Sequence, residues 1–173
     1  KGTDLFVDSM IALLPSRPDW CAIVAGRATG PHLAFETELK ERVAKAGLAD
    51  RLHFVGEHTN IPDWYRALDL FIAPQRWEGF GLTPLEAMAT GVPVVAADVG
   101  AFSELITDGP EETGVIIPAA DLKAMVDGAA AFMDDEARRA VAGRRGLTRA
   151  ASVFSIEGEA ERLGDIYAAA RMA

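Results

Sequence analysis

The run Arg76-Trp77-Glu78-Gly79-Phe80-Gly81-Leu82-Thr83-Pro84-Leu85-Glu86-Ala87-Met88 holds the residue types of an anion site. It follows an apolar run, residues 70–73, and leads into a helical pattern starting near Pro84. Gly79 and Gly81 flank Phe80 and let the backbone approach a ligand closely. Proline in the first turn of a helix gives up only an N–H that has no partner there. A helix that starts in such a loop offers free N–H groups and the positive end of its dipole, so a diphosphate is the expected guest. Each charge-assisted bond would contribute about 1.5–3 kcal/mol. Glu78 on the loop and Glu86 in the first helical turn place two carboxylates where they can meet one ligand from different sides. Glu86 has a structural alternative, because Thr83-x-x-Glu86 matches a capping box in which the carboxylate returns to the Thr83 backbone N–H. The alternative for Glu78 is a solvated loop acid. Spacing alone leaves both choices open.

The elements that must hold this segment alternate along the chain. Short apolar runs at residues 21–25, 52–55, 70–73, 92–96 and 114–117 have the length and composition of strands. Between them, residues 4–14, 33–46, 62–67, 84–89 and 101–106 carry helical spacing. Strands separated by helices imply a parallel sheet covered on both faces, which binds ligands beyond the carboxyl ends of its strands. Three further helices are expected at residues 121–132, 134–151 and 155–170, with Asp121, Asp134 and Ser155 as N-caps. Ile156, Leu163, Ile166 and Tyr167 form a stripe on the last helix, read as core or as a docking face for another domain. The expected class is α/β, a Rossmann-like parallel sheet with C-terminal helices, and residues 1–173 read as one domain. Such a topology ordinarily begins on a strand, whereas Lys1–Thr3 runs straight into a helix, so a first strand is expected ahead of it.

Composition narrows the function classes. Against 17 Lys and Arg the chain carries 26 Asp and Glu, a net charge of −9, which disfavours nucleic acid and anionic lipid as partners. Arg138, Arg139, Arg144 and Arg145 lie on one helical pattern with acids and read as a solvated face. The single cysteine, Cys21, forms no intrachain disulfide; it reads as a buried inert thiol in a reducing compartment, the cytoplasm. No apolar run reaches the length of a membrane span. His32, His53 and His58 are too scattered for a metal cluster, and no Asp-x-Asp occurs. Neither cofactor nor metal is expected.

Glu-Gly-Phe-Gly-Leu-x-x-x-Glu-Ala-Met-Ala from Glu78, Gly91-Val-Pro-Val-Val-Ala, and Gly100-x-x-x-Glu104 together resemble the family 4 retaining glycosyltransferases of GT-B fold. Lys1-Gly2, Leu52-His-Phe-Val-Gly56 and Trp64-Tyr-Arg-Ala-Leu-Asp69 extend the resemblance over nearly the whole chain. The resemblance implies the donor-binding, C-terminal half of a two-domain transferase whose partner is its own N-terminal acceptor domain. It implies a donor site in which Lys1 contacts the diphosphate and Glu78 the sugar hydroxyls. The backbone around Gly79, Phe80, Gly81 and Leu82 lies near sugar and phosphate, and Glu86 accepts from the ribose hydroxyls. Gly26 lets the nucleotide approach, and the loop of residues 56–60, with His58, lies near the base. Lys1 and Glu78 are the expected catalytic residues. Gly100-Ala101, where relatives often carry Gly-Gly, and the loop Gly26-Arg-Ala-Thr-Gly30 depart from the usual pattern.

The sequence is also similar to bacterial lipopolysaccharide core mannosyltransferases, which implies transfer of mannose from GDP-mannose to a glycan or lipid-linked acceptor. Any membrane contact, at the inner face, would then run through the acceptor domain. The competing classes are a sugar-nucleotide epimerase or a phosphorylase of the same fold, and a non-enzymatic α/β nucleotide-binding module. A phosphorylase needs a cofactor-bearing lysine, and Lys1, Lys40, Lys45 and Lys123 have no suitable placement. A receiver-type module needs an acidic cluster at strand ends, which Asp69 and Asp98 do not make.

Overall fold

The computed structural model describes residues 1–172. Its strands are β1 (Ala22–Ala25), β2 (Leu52–Gly56), β3 (Phe71–Ala73), β4 (Val94–Ala97) and β5 (Gly114–Ile117). Its helices are α1 (Thr3–Leu13), α2 (Leu33–Lys45), α3 (Ile61–Arg66), α4 (Leu82–Ala89), α5 (Phe102–Leu105), α6 (Leu122–Met133), α7 (Glu136–Val153) and α8 (Ile156–Met172). All five expected strands and all eight helices form. Strand β4 begins two residues later than expected because Val92 and Pro93 make its entry turn, from which the Pro93 carbonyl accepts the Phe71 N–H.

Every strand pairing is parallel, β1 with β2 and β3 with β4 and β5 in the order β3-β4-β5. Strand β4 is buried along its whole length, which explains why its sequence is continuously apolar rather than alternating. Its side chains divide between the two faces. Val94 and Ala96 enter a core with Met88 of α4 and Phe102 of α5, and Val95 enters another with Leu5 of α1 and Met125 and Phe132 of α6. Helices therefore cover both faces, as the class requires.

The β1–β2 ladder and the β3–β4–β5 ladder are not hydrogen-bonded to each other among the described residues. Leu70 and Ile72 of the β3 segment nonetheless pack in the core that holds Ala22, Val24 and Leu52. One apolar core thus spans two ladders, and β1 and β3 each keep one unpaired edge.

Four local expectations are corrected. Asp121 caps α6 by accepting from Ala124, and Ser155 accepts from the Gly158 N–H. Asp135 rather than Asp134 caps α7, accepting from Arg138, because Asp134 is engaged in a two-point ion pair with Arg17 at 2.6 and 2.7 Å. Cys21 is exposed, since it precedes β1 instead of lying within it. The four arginines are not simply a solvated face. Arg138 grips Glu112 at both oxygens, and Arg139 donates to the last carbonyls of α6, Phe132 and Met133. The stripe on α8 is not core: Ile156 is 85% exposed and Tyr167 66%.

Candidate functional site

The site is built where two helix N-termini meet the exit of β3. Helix α1 starts after Gly2, whose φ is 85°, and α4 after Gly81, whose φ is 96°; neither N-cap makes a side-chain hydrogen bond. Both positions demand glycine twice over, by backbone angle and by space. A Cβ at Gly2 would lie 2.0 Å from the Pro74 carbonyl oxygen, and one at Gly81 would lie 2.5 Å from the buried Phe102 ring. The exit of β3 therefore sits directly against the start of α1.

Helix α4 begins at Leu82, so Pro84 is its third residue rather than its first. The Leu82 and Thr83 N–H groups precede any helical carbonyl that could accept them, and Pro84 has none to offer. No acid occupies this first turn. The N-terminus of α4 therefore presents uncompensated donors and the positive dipole end to the loop carrying Glu78. Around it, Trp77, Phe80 and Leu82 expose their apolar side chains, Trp77 to 81%.

Two ion pairs tie this loop to α1. Lys1 Nζ donates to Glu78 Oε2 at 3.1 Å, and Glu78 Oε1 accepts from the Gly79 N–H at 3.0 Å. The Lys1 ammonium, then the Gly79 amide, hold the Glu78 carboxyl below its ordinary range. Lys1 is 75% exposed and Glu78 only 19%, so the lysine is the solvent-facing partner and the glutamate the enclosed one. Arg76 clamps Asp4 of α1 with two bonds of 2.8 and 2.7 Å, and this guanidinium lowers the Asp4 carboxyl as well. On the opposite side the Ala101 N–H donates to Gly79 O at 3.1 Å. Ala101 has φ −89°, an angle any residue adopts, so a second glycine there is not required by the backbone.

Glu86 does not close a capping box. Thr83 is the second helical residue rather than the cap, and the Glu86 carboxylate accepts at 3.0 Å from the Tyr65 hydroxyl of α3. Burial, and then this bond, push the Tyr65 phenol well above its ordinary range, so it stays a proton donor. Tyr65 and Glu86 share a cleft of about 220 Å³ with Ile61, Pro62, Ala89 and Thr90. A cleft of about 250 Å³ at the edge of β2, lined by Lys40, His53 and Phe54 among others, contains none of these residues.

Gly26 and His58 lie beyond the carboxyl ends of β1 and β2. The Gly26 N–H donates to Gly56 O at 2.7 Å, joining the β1 exit to the end of β2, and His58 bonds Val55 O at 2.9 Å while its ring packs, tilted, against Trp64 at 4.4 Å. Lys1, Glu78, Gly79, Gly81 and Leu82 are thus brought together, whereas Gly26 and His58 form a second group with no hydrogen bond to the first among the described residues. Asp4, Arg76 and Tyr65 were not singled out by spacing. Their partners lie 72 and 21 residues away, beyond the range of any local pattern. Among the described residues no group of three or more His, Cys, Asp and Glu could hold a metal ion. No described helix is long and apolar enough to cross a membrane.

The profile of the family described as "Glycosyl transferases group 1" matches residues 1–135. The chain is 80% identical over 167 residues to the lipopolysaccharide core biosynthesis mannosyltransferase LpsB of Rhizobium meliloti (strain 1021), covering 96% of this chain and 48% of that protein. It is 48% identical to the corresponding mannosyltransferase LpcC of Rhizobium leguminosarum bv. viciae, covering 96% and 47%. The chain therefore spans about half the length of the curated relatives it matches. Among solved structures, the C-terminal domain of a glycosyl transferase group 1 family protein (LpcC) from Francisella tularensis aligns with TM-score 0.85 at 35% identity, covering 90% of this chain and 80% of that one. Anabaena HepE in complex with UDP shares the fold at TM-score 0.89 and 24% identity, covering 98% and 45%.

Proposed function

We propose, since this chain belongs to the glycosyl transferases group 1, that it binds the nucleoside diphosphate sugar for a retaining hexosyl transfer. The observation that carries the reading is the open N-terminus of α4, with the Leu82 and Thr83 amides unfilled and Glu78 and Glu86 on either side of it in sequence. The diphosphate lies against these amides, and Lys1 turns from Glu78 to it. Because Lys1 is largely exposed, leaving Glu78 costs it little. Glu78, fixed by Gly79 N–H, then accepts from sugar hydroxyls, and Glu86 accepts from the ribose. Gly26 and His58 flank the nucleotide from the β1 and β2 loops.

As the anomeric carbon–oxygen bond breaks, its electron pair passes to the diphosphate. The acceptor hydroxyl bonds to the same face of the sugar and passes its proton to the departing diphosphate oxygen. Amides and a helix end already aimed at the diphosphate stabilise the growing charge without rearranging. No metal is required in this scheme, since Lys1 and the α4 dipole supply the positive charge.

The sugar is mannose, a reading supported by the two rhizobial relatives being named mannosyltransferases, and the donor is GDP-mannose. The acceptor is a glycan or lipid-linked glycan held by an N-terminal domain of the longer protein, and the exposed stripe on α8 suits contact with such a domain. The whole protein works in the cytoplasm, reaching the inner membrane face through that domain. Calorimetry with GDP-mannose, UDP-glucose and their free diphosphates, in chelator, tests the reading. GDP-mannose should bind most tightly, and absence of binding by every nucleotide would reject it.

A further inference from the structure

Glu86 sits on the exposed side of α4, where a glutamate side chain ordinarily samples many rotamers and loses that freedom when a ligand fixes it. Here it is fixed beforehand. The Tyr65 hydroxyl donates to Oε2 at 3.0 Å, and Tyr65 itself is only 8% exposed. Its ring is held edge-on to Phe71 of β3, with centroids 5.6 Å apart, and in a core with Ala87 and Met88 of α4. A carboxylate has about four acceptor positions, and the phenol takes one. The others remain beside an open cleft rather than a packed core.

We infer that Tyr65 is a positioning residue: by holding one oxygen of Glu86 from behind, it presents the rest of that carboxylate, already oriented, to the vicinal hydroxyls of the nucleotide ribose. The inference rests on the reading of Glu86 given under Proposed function and extends it to a residue on a different helix. Burial, and then its bond to Glu86, push the Tyr65 phenol well above its ordinary range, so at neutral pH it serves as a donor.

The test is Tyr65→Phe, which keeps the ring and its packing and removes one hydroxyl. Calorimetry uses GDP or UDP, whichever binds the wild-type chain more tightly, beside its 2′,3′-dideoxy form. Tyr65→Phe should weaken the ribonucleotide on the order of tenfold and the dideoxy form less than about twofold. In a Glu86→Ala background the same substitution should change neither, because the side chain it orients is gone. Equal losses for both nucleotides would mark a purely structural effect and overturn the inference. So would unchanged ribonucleotide affinity in Tyr65→Phe, while leaving the donor site intact. If the wild-type chain binds neither diphosphate, the donor-site reading fails and this inference fails with it.

Discussion

Replacing Gly81 by alanine puts a methyl group 2.5 and 2.7 Å from two atoms of the Phe102 ring and 3.1 Å from a Leu105 methyl. Phe102 is fully buried between α4 and β4 and has nowhere to move. Two costs add. Holding a non-glycine residue at a φ of 96° costs about 1–3 kcal/mol. Forcing a methyl into a filled core costs about 1–3 kcal/mol more. The sum, about 2–6 kcal/mol, corresponds to a melting temperature lowered by roughly 5–20 °C in a chain of this size. Gly79, two residues earlier, is the internal control, since it has no positive φ and nothing within 4 Å of a Cβ added there. Gly79→Ala should change stability by less than about 0.5 kcal/mol. Denaturant titration of both variants separates them. If Gly81→Ala unfolds with the same midpoint as wild type, the packing of the α4 start against Phe102 is not as described.

Glu86→Ala should weaken a nucleoside diphosphate and its sugar conjugate alike, whereas Glu78→Ala should weaken mainly the conjugate; calorimetry with the two ligands reads both. If Glu86→Ala lowers thermal stability and leaves affinity unchanged, the carboxylate is structural after all. Asp4 and Glu78 have folded-state pKa values below their ordinary 3.8 and 4.5. Their stabilisation is therefore complete above those ordinary values and is lost as pH falls through the lower folded ones. Stability measured from about pH 6 down to about pH 3 should fall at the acid end, and less steeply in Asp4→Asn. If the acceptor is held by an N-terminal domain, as proposed, transferase assays on the chain by itself should detect no turnover; sustained turnover would contradict that division of labour.

The strands and helices could be read from the sequence because each is a local matter. Period and length identify β4 from Val-Val-Ala-Ala and α6 from its apolar spacing, and turn residues mark the ends. The loop from Arg76 to Gly81 was equally plain, since glycines and a following proline state their backbone consequences directly. What escaped were contacts made across the fold. Asp134 and Asp135 are equally good caps by type, yet Asp134 closes α6 in helical backbone and pairs with Arg17, 117 residues away, which leaves the cap of α7 to Asp135. Thr83 and Glu86 have capping-box spacing, yet Gly81 starts the helix two residues early and Tyr65 takes the carboxylate. The clamp of Arg76 on Asp4, which ties the Glu78 loop to α1, leaves no trace in either local sequence.

Backbone-amide NMR of the chain during titration with GDP tests the central claim most directly, because each amide reports its own contact. A diphosphate held by the start of α4 should give saturable shifts that are largest at residues 79–83, and GMP should give smaller ones. Shifts confined to the β2 edge around Lys40 and His53, with the Leu82 and Thr83 amides unmoved, would contradict it.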